Sequence, residues 1–280
     1  MIEIWDGYVQ GRKETISPTT LNVDFRRVRK KLESCPVAIS DSEKFRKWLD
    51  ENYSPEVTRR TLVQIKAACD WGVSSKLLKN NPFGSIPKRK PKDSSPQPFT
   101  KKEMELIIST FENSYHYAYY APFVRFQFLT GARTSEGIGL QWKQIDEELA
   151  FINFSQAFVN GRFKDTKNHK DRRFPINQSL KELLQEIRPA FIKPEQLVFP
   201  SKKGHPIDGH NFSNRAWKSV MGKLPNVLYR RFYSTRATFI SNCLEKGAPV
   251  TLVAEWVGNS PEVIWESYAG VVSSMSVPEF

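Results

Sequence analysis

Two stretches far apart in the chain concentrate side chains suited to holding an anionic group. Thr130-Gly131-Ala132-Arg133-Thr134-Ser135-Glu136 sets an arginine one helical turn before a carboxylate. A planar guanidinium can hold two phosphate oxygens at once and stabilise the charge of a pentacoordinate transition state. Glu136, at that spacing, can fix the neighbourhood of Arg133. The second stretch, Asp165–Ile176, is basic, with Lys167, Lys170, Arg172 and Arg173 inside it and Lys164 just before. A lysine beside a leaving oxygen can donate a proton or stabilise the developing alkoxide. Near the end of the chain, Tyr233, Arg236, Asn259 and Tyr268 are the informative polar residues on a frame of short helical segments. A tyrosine with a pKa of about 10 is a poor nucleophile near neutral pH unless cationic neighbours favour its phenolate.

The elements that must position these residues are mostly helices. Tyr233–Leu244 carries Ala237, Phe239, Ile240 and Cys243 at helical spacing and stops at Gly247. Val250–Val257 is apolar and stops at Gly258, and Ser260-Pro261 opens a further short helix that ends at Tyr268. Upstream, Thr100-x-x-Glu103 is a capping box that starts helices running to about Leu129. Tyr115–Tyr120 is aromatic; core packing is the reading preferred over base stacking. Phe151–Ile176 is rich in β-prone residues, and its turn signals at Asn160-Gly161 and Asn168–Asp171 predict a small antiparallel sheet. Leu180–Ile187 returns to helix.

The first part of the chain reads as helices only. Ser17-Pro18 opens a helix to about Glu33 with Leu21, Phe25, Val28 and Leu32 on one face. Arg26, Arg27, Arg29, Lys30 and Lys31 crowd its other faces, either as a solvated surface or as a track for phosphates. Ser40-x-x-Glu43 predicts a capping box, and Ser54-Pro55 another helix start. Ile86–Pro98, with its prolines and Lys88, Arg89, Lys90 and Lys92, reads as a linker. It would serve as a strap on DNA or as a solubilising hinge. The expected division is therefore a helical domain over 1–83, a basic proline-rich linker over 84–99 and a second domain over 100–280.

Composition narrows the partner. The 280 residues carry 42 Lys and Arg against 30 Asp and Glu, a formal charge of +12 that favours a polyanion, above all nucleic acid. No apolar run is long enough to cross a membrane, and MIEIWDGYVQ has no leader pattern, so a cytoplasmic protein is expected. Cys35, Cys69 and Cys243 are far apart and odd in number, which suits reduced thiols. His116, His169, His205 and His210 show no metal-ligand spacing, so no metal and no cofactor are expected.

Together the three polar segments resemble the tyrosine recombinases, the phage-integrase family. Thr130–Asp146 closely resembles the first family box, T-G-x-R-x-x-E-x-x-x-L-x-W-x-x-I-D, including Leu140, Trp142 and Ile145-Asp146. Thr166–Ile176 resembles the family hairpin T-K-x-x-x-x-R-x-(V/F)-P-(L/I). Tyr233–Arg236 stands at the box H-x-x-R and Val257-Gly258-Asn259 at L-G-H, with Tyr268 nine residues beyond Asn259 as in the family. The resemblance implies that Arg133 and Arg236 oppose one another on the scissile phosphate, that Glu136 braces the first box and that Lys167 reaches the DNA at the cut. Tyr268 is implied as the nucleophile, giving a 3′-phosphotyrosyl link and a free 5′-hydroxyl without ATP or metal. Two family histidines are replaced, by Tyr233 and Asn259. Both keep polar reach, so a working, slower enzyme is expected, with a pH–rate profile that lacks an imidazole limb near pH ~6–7.

The same resemblance implies a mainly α fold. An all-α core-binding domain would precede a mostly helical α+β breaking-rejoining domain with a small antiparallel sheet. It implies a clamp round double-stranded DNA, with Arg26, Arg27, Arg29, Lys30, Lys88, Arg89, Lys90, Arg172 and Arg173 as DNA contacts. It further implies a homotetramer on two sites, monomeric or dimeric off DNA, of prokaryotic, phage or mobile-element origin, with no membrane and no small-molecule substrate. The residues after Tyr268 would dock onto a neighbouring protomer, and no arm-binding domain is expected before Ile16. Site-specific strand exchange is the leading expectation. A DNA-binding relative with impaired chemistry is the alternative, and relaxation of supercoils without exchange a third.

Overall fold

The computed structural model describes residues 1–18, 20–37, 41–87, 96–165 and 171–272. The chain divides into two compact units, Met1–Ser94 and Ser95–Phe280. The fold is mostly helical, as expected.

In the first unit the helices are α1 (Ile2–Gly11), α2 (Arg26–Ser34), α3 (Ser42–Asn52) and α4 (Pro55–Ser74). Their core gathers Trp5, Tyr8, Phe25, Val28, Leu32, Phe45, Leu49, Ile65 and Cys69, closed by Phe83 and Ile86. Helix α1 is absent from the sequence reading, although Trp5 and Tyr8 sit one turn apart and both face this core. The single helix expected from Ser17 to Glu33 divides at Phe25, where a π-helical turn over Thr20–Phe25 runs into α2. Its apolar stripe is as expected, because Phe25, Val28 and Leu32 are all buried. The cap of α3 is Asp41, whose side chain accepts from the Lys44 amide at 3.2 Å; Ser40, the expected cap, lies outside the described residues.

In the second unit the order is α5 (Lys101–Glu112), α6 (Ala121–Thr130), α7 (Thr134–Ile138), β1 (Phe151–Phe154), β2 (Gln156–Val159), β3 (Arg162–Asp165) and β4 (Arg172–Pro175). There follow α8 (Gln178–Ile187), α9 (Gly209–Asn211), α10 (Lys218–Met221), α11 (Ser234–Glu245), α12 (Val250–Val257) and α13 (Pro261–Val272). The box at Thr100 is formed in both directions: Glu103 N–H donates to the Thr100 hydroxyl at 3.2 Å, and Thr100 N–H to the Glu103 carboxylate at 2.7 Å. The expected sheet is two antiparallel pairs, β1 with β4 and β2 with β3, in registers Phe154↔Arg172 and Phe158↔Phe163. Asn160 and Gly161 both have positive φ, the backbone that a tight hairpin demands.

An aromatic core holds this unit together. Phe123 packs on Phe199, Phe212 and Phe232, Phe126 on Phe154, and Phe174 on Phe239. Stretch Tyr115–Tyr120 contributes only in part: Tyr117 and Tyr120 pack against the core, while Tyr115 and Tyr119 are exposed. A buried glutamine network pins the loop after α7 to the sheet. Gln156 donates to the Gln141 side-chain oxygen at 2.7 Å, and Gln144 donates to the Asn153 carbonyl at 3.1 Å. No helix among the described residues is long and apolar enough to cross a membrane.

Candidate active site

The site is built where two glycine-ended helices meet. Helix α6 stops at Gly131 (φ +58°) and α12 at Gly258 (φ +67°), both left-handed C-caps that a residue with a side chain adopts only under strain. Close approach adds a second requirement for glycine. A Cβ on Gly131 would lie 2.6 Å from Phe239, and one on Gly258 would lie 3.0 Å from Arg172 Nη1 and 3.2 Å from Arg133 Nη1.

Arg133 caps the short helix α7 and is only partly buried. Its Nη1 donates to Glu136 Oε1 at 2.8 Å, its backbone N–H to Glu136 Oε2 at 2.8 Å, and its Nη2 to the Gly258 carbonyl. Glu136 is 1% exposed. Burial pushes its carboxyl up, but the hydrogen bonds and charge of Arg172, with the charge of Arg133, outweigh burial and hold it below the ordinary value.

Arg236, on the first turns of α11, is 3% exposed. Its Nη1 donates to the Gly131 carbonyl at 2.9 Å, and its Nη2 is buried with no hydrogen-bond partner among the described residues. Burial lowers its pKa, and the charge of Arg133 lowers it further while Tyr233 and Glu136 act against this. A buried guanidinium nitrogen beside a second arginine is suited to an anionic oxygen.

Tyr268 is 9% exposed and has a non-helical backbone (φ −124°, ψ 15°) that kinks α13 at this residue. Burial pushes its phenol up to about 12; Arg236 pulls it down, and Tyr233 pushes it up. Among the described residues the cation that depresses the phenol, as expected, is Arg236, and desolvation outweighs it. Tyr233, at the N-terminus of α11, is 56% exposed on a cleft of about 1240 Å³ whose walls also include Thr134, Ser135, His210, Asn214 and Arg231. The segment before it is held by the Trp217 indole, which donates to the Arg230 carbonyl at 2.8 Å, and by Arg230 donating to Glu103 at 3.1 Å. Asn259 follows the Gly258 cap, and its amide N–H donates to the Ala254 carbonyl at 2.9 Å.

Arg133, Glu136 and Gly258 thus come together, and Arg236 influences both that cluster and Tyr268. Lys167 lies outside the described residues, as do Lys88, Arg89 and Lys90. Arg26, Arg27 and Lys30 are exposed on α2. Arg29 is held between Asp6 and, at 2.8 Å, Glu33. Arg173 is exposed, its guanidinium 3.6 Å from the Phe151 ring centroid. Arg172, expected as a DNA contact, is buried against Glu136, because its place in β4 alternates inward with Phe174. The carbonyls of Gly131 and Gly258 were missed as arginine acceptors, since backbone acceptors leave no signal in side-chain spacing.

Residues 97–271 match the model of the phage integrase family. This chain belongs to that family. It is similar to a tyrosine recombinase XerC-like protein of Caldanaerobacter subterraneus subsp. tengcongensis, 27% identical over 161 residues, covering 48% of this chain and 40% of that protein. The ICEBs1 integrase of Bacillus subtilis is 30% identical over 154 residues, covering 52% of this chain and 41% of the relative. The similarity thus spans about two fifths of the length of these two relatives. Among solved structures, the Tn1549 transposon integrase in complex with circular intermediate DNA is similar with a TM-score of 0.79 at 18% identity, covering 95% of this chain and 94% of that one. A lambda integrase tetramer bound to a Holliday junction is similar with a TM-score of 0.73 at 13% identity, covering 92% and 76%. This phage-integrase chain shares their fold.

Proposed function

We propose that this member of the phage integrase family is a site-specific recombinase that cuts and rejoins double-stranded DNA through a 3′-phosphotyrosyl intermediate. The observation that carries the reading is the buried Nη2 of Arg236, unpartnered among the described residues and close enough to Arg133 and Tyr268 for its charge to act on both. Arg133 and Arg236 would hold the non-bridging oxygens of the scissile phosphate and stabilise the added charge of the transition state. The Tyr268 oxygen attacks phosphorus and gives its proton to solvent water; the bond from phosphorus to the 5′-oxygen breaks, and that oxygen takes a proton from Lys167. Reversal by a 5′-hydroxyl of a second strand releases the tyrosine and regenerates the phosphodiester. The covalent link conserves the bond energy, so neither ATP nor metal is required. Tyr233 and Asn259, in the place of the family histidines, hydrogen-bond the phosphate.

Binding to DNA and assembly of four protomers on two sites belong to this reading. It is supported by the family match and by the DNA-bound integrases of the same fold. Covalent trapping tests it. The protein, in EDTA, is mixed with a supercoiled plasmid carrying the DNA that flanks its own gene, and the reaction is stopped with detergent. Protein-linked DNA in the wild type and none with Tyr268→Phe is the expected result. Tight binding without an adduct, even on nicked substrates that trap the intermediate, would instead favour a DNA-binding relative with impaired chemistry.

A further inference from the structure

Arg172 has a place in the site that a DNA contact would not need. It is 7% exposed, and its Nη1 and Nη2 donate to Oε1 and Oε2 of Glu136 at 3.0 and 2.8 Å. Its guanidinium carbon lies 4.3 Å from the centroid of the Phe154 ring, its partner across the β1–β4 pair. Arg133 approaches the same carboxylate from the loop before α7, with Nη1 on Oε1 and its backbone N–H on Oε2. Each carboxylate oxygen therefore accepts two hydrogen bonds, and the capacity of the group, about four lone-pair sites, is filled. We propose that Arg172 is a positioning residue: by occupying one side of Glu136 and packing on Gly258, it fixes the Arg133 guanidinium in the orientation that grips the scissile phosphate.

The inference rests on the recombinase reading and adds a residue to it. With Arg133 alone, a buried Glu136 would draw both guanidinium nitrogens into a fork and away from the Gly258 carbonyl. Charge leads to the same conclusion. Arg133 and Glu136 cancel, and Arg172 restores one net positive charge to the cluster. Arg172 also starts the strand that follows Lys167 by five residues, so the same ion pair ties that strand to the first box.

The test separates binding from chemistry. Arg172→Met, Arg172→Lys and Arg172→Met/Glu136→Gln are compared with wild type on the flanking-DNA plasmid, reading the rate of adduct formation at saturating DNA and, separately, affinity against salt. For Arg172→Met the expected result is an adduct rate lowered on the order of 100-fold, with unchanged affinity and salt slope. Arg172→Lys should recover part of the rate.

A pH series adds a readout that simple loss of packing would not move. Among the described residues, the charged groups facing Glu136 are Arg133 from the loop before α7, Arg172 from β4 and Arg236 from α11. Removing Arg172 should raise the Glu136 carboxyl and bring in an acid limb, and the double variant should abolish that limb. If Arg172→Met melts early, the lysine and double variants, which leave no unpaired buried carboxylate, decide.

A salt slope reduced by about one with an unchanged rate at saturation would make Arg172 a phosphate contact and overturn the proposal. Unchanged behaviour throughout would also overturn it. No adduct in the wild type would remove the recombinase reading and this inference together, whereas an adduct in the wild type and equally in every variant removes this inference alone.

Discussion

Arg236 and Gly131 are joined by a hydrogen bond of 2.9 Å from guanidinium to carbonyl, linking α11 to the C-cap of α6. The bond uses one edge of the guanidinium and leaves Nη2 buried and unpartnered among the described residues. A group so fixed is aimed before any ligand arrives, which is the condition for strong electrostatic stabilisation of a transition state.

Arg236→Lys tests that geometry. Lysine keeps the charge but cannot reach both the carbonyl and a phosphate oxygen. Adduct formation at saturating DNA should fall about 10²- to 10³-fold, with DNA affinity little changed. A lysine variant that cuts at the wild-type rate would show that charge alone suffices.

Gly258→Ala should damage stability and chemistry together. Its φ of +67° costs an alanine about 1–2 kcal/mol, and the new methyl would press on the guanidiniums of Arg172 and Arg133. The melting midpoint of the Ser95–Phe280 unit should drop by roughly 2–8 °C, and the adduct rate should fall as well. Gly247→Ala is the control. At φ +80° with none of the described residues within 4 Å of the added Cβ, it should lose stability yet keep the rate measured at saturating DNA.

Tyr268 gives a pH signature in the free protein. Its folded pKa is pushed up to about 12 by burial, above the ordinary value of about 10. The stability it contributes is fully present below pH ~10 and is lost as pH rises through ~12, because the unfolded phenol ionises first. Urea unfolding at pH 9 and pH 11 should show a larger loss for wild type than for Tyr268→Phe; Tyr119 and Tyr120, also raised by burial, cancel in the comparison. Adduct formation should rise with pH through the neutral and alkaline range. No inflection is expected near pH ~6–7, since Tyr233 stands where the family has histidine; a clear one would reveal another general base.

Much of this was legible in the sequence because the signals are local. Capping at Thr100, the Asn160-Gly161 turn and the glycine stops at Gly247 and Gly258 each depend on a few adjacent residues. The chemical boxes were legible for a similar reason: Arg133, Glu136, Arg236 and Tyr268 keep fixed spacing to apolar neighbours that seat them in the core. Helix α1 was missed because Trp5 and Tyr8 gain their meaning only from Phe25 and Trp71, which they meet in space. The π-helical turn before α2 has the same apolar spacing as a plain helix would have.

The sequence by itself determined which side chains could grip and attack a phosphate, and the helical frame on which they lie. Tertiary structure alone decided what each charge faces. Arg172 and Arg173 are adjacent and chemically identical, yet strand alternation buries the first on Glu136 and leaves the second exposed over Phe151. Tyr268 likewise was legible as a candidate nucleophile, but the balance between desolvation and the charge of Arg236 is a property of the packed site. Burial and pairing are set by distances between segments far apart in the chain, and spacing along the chain does not encode them.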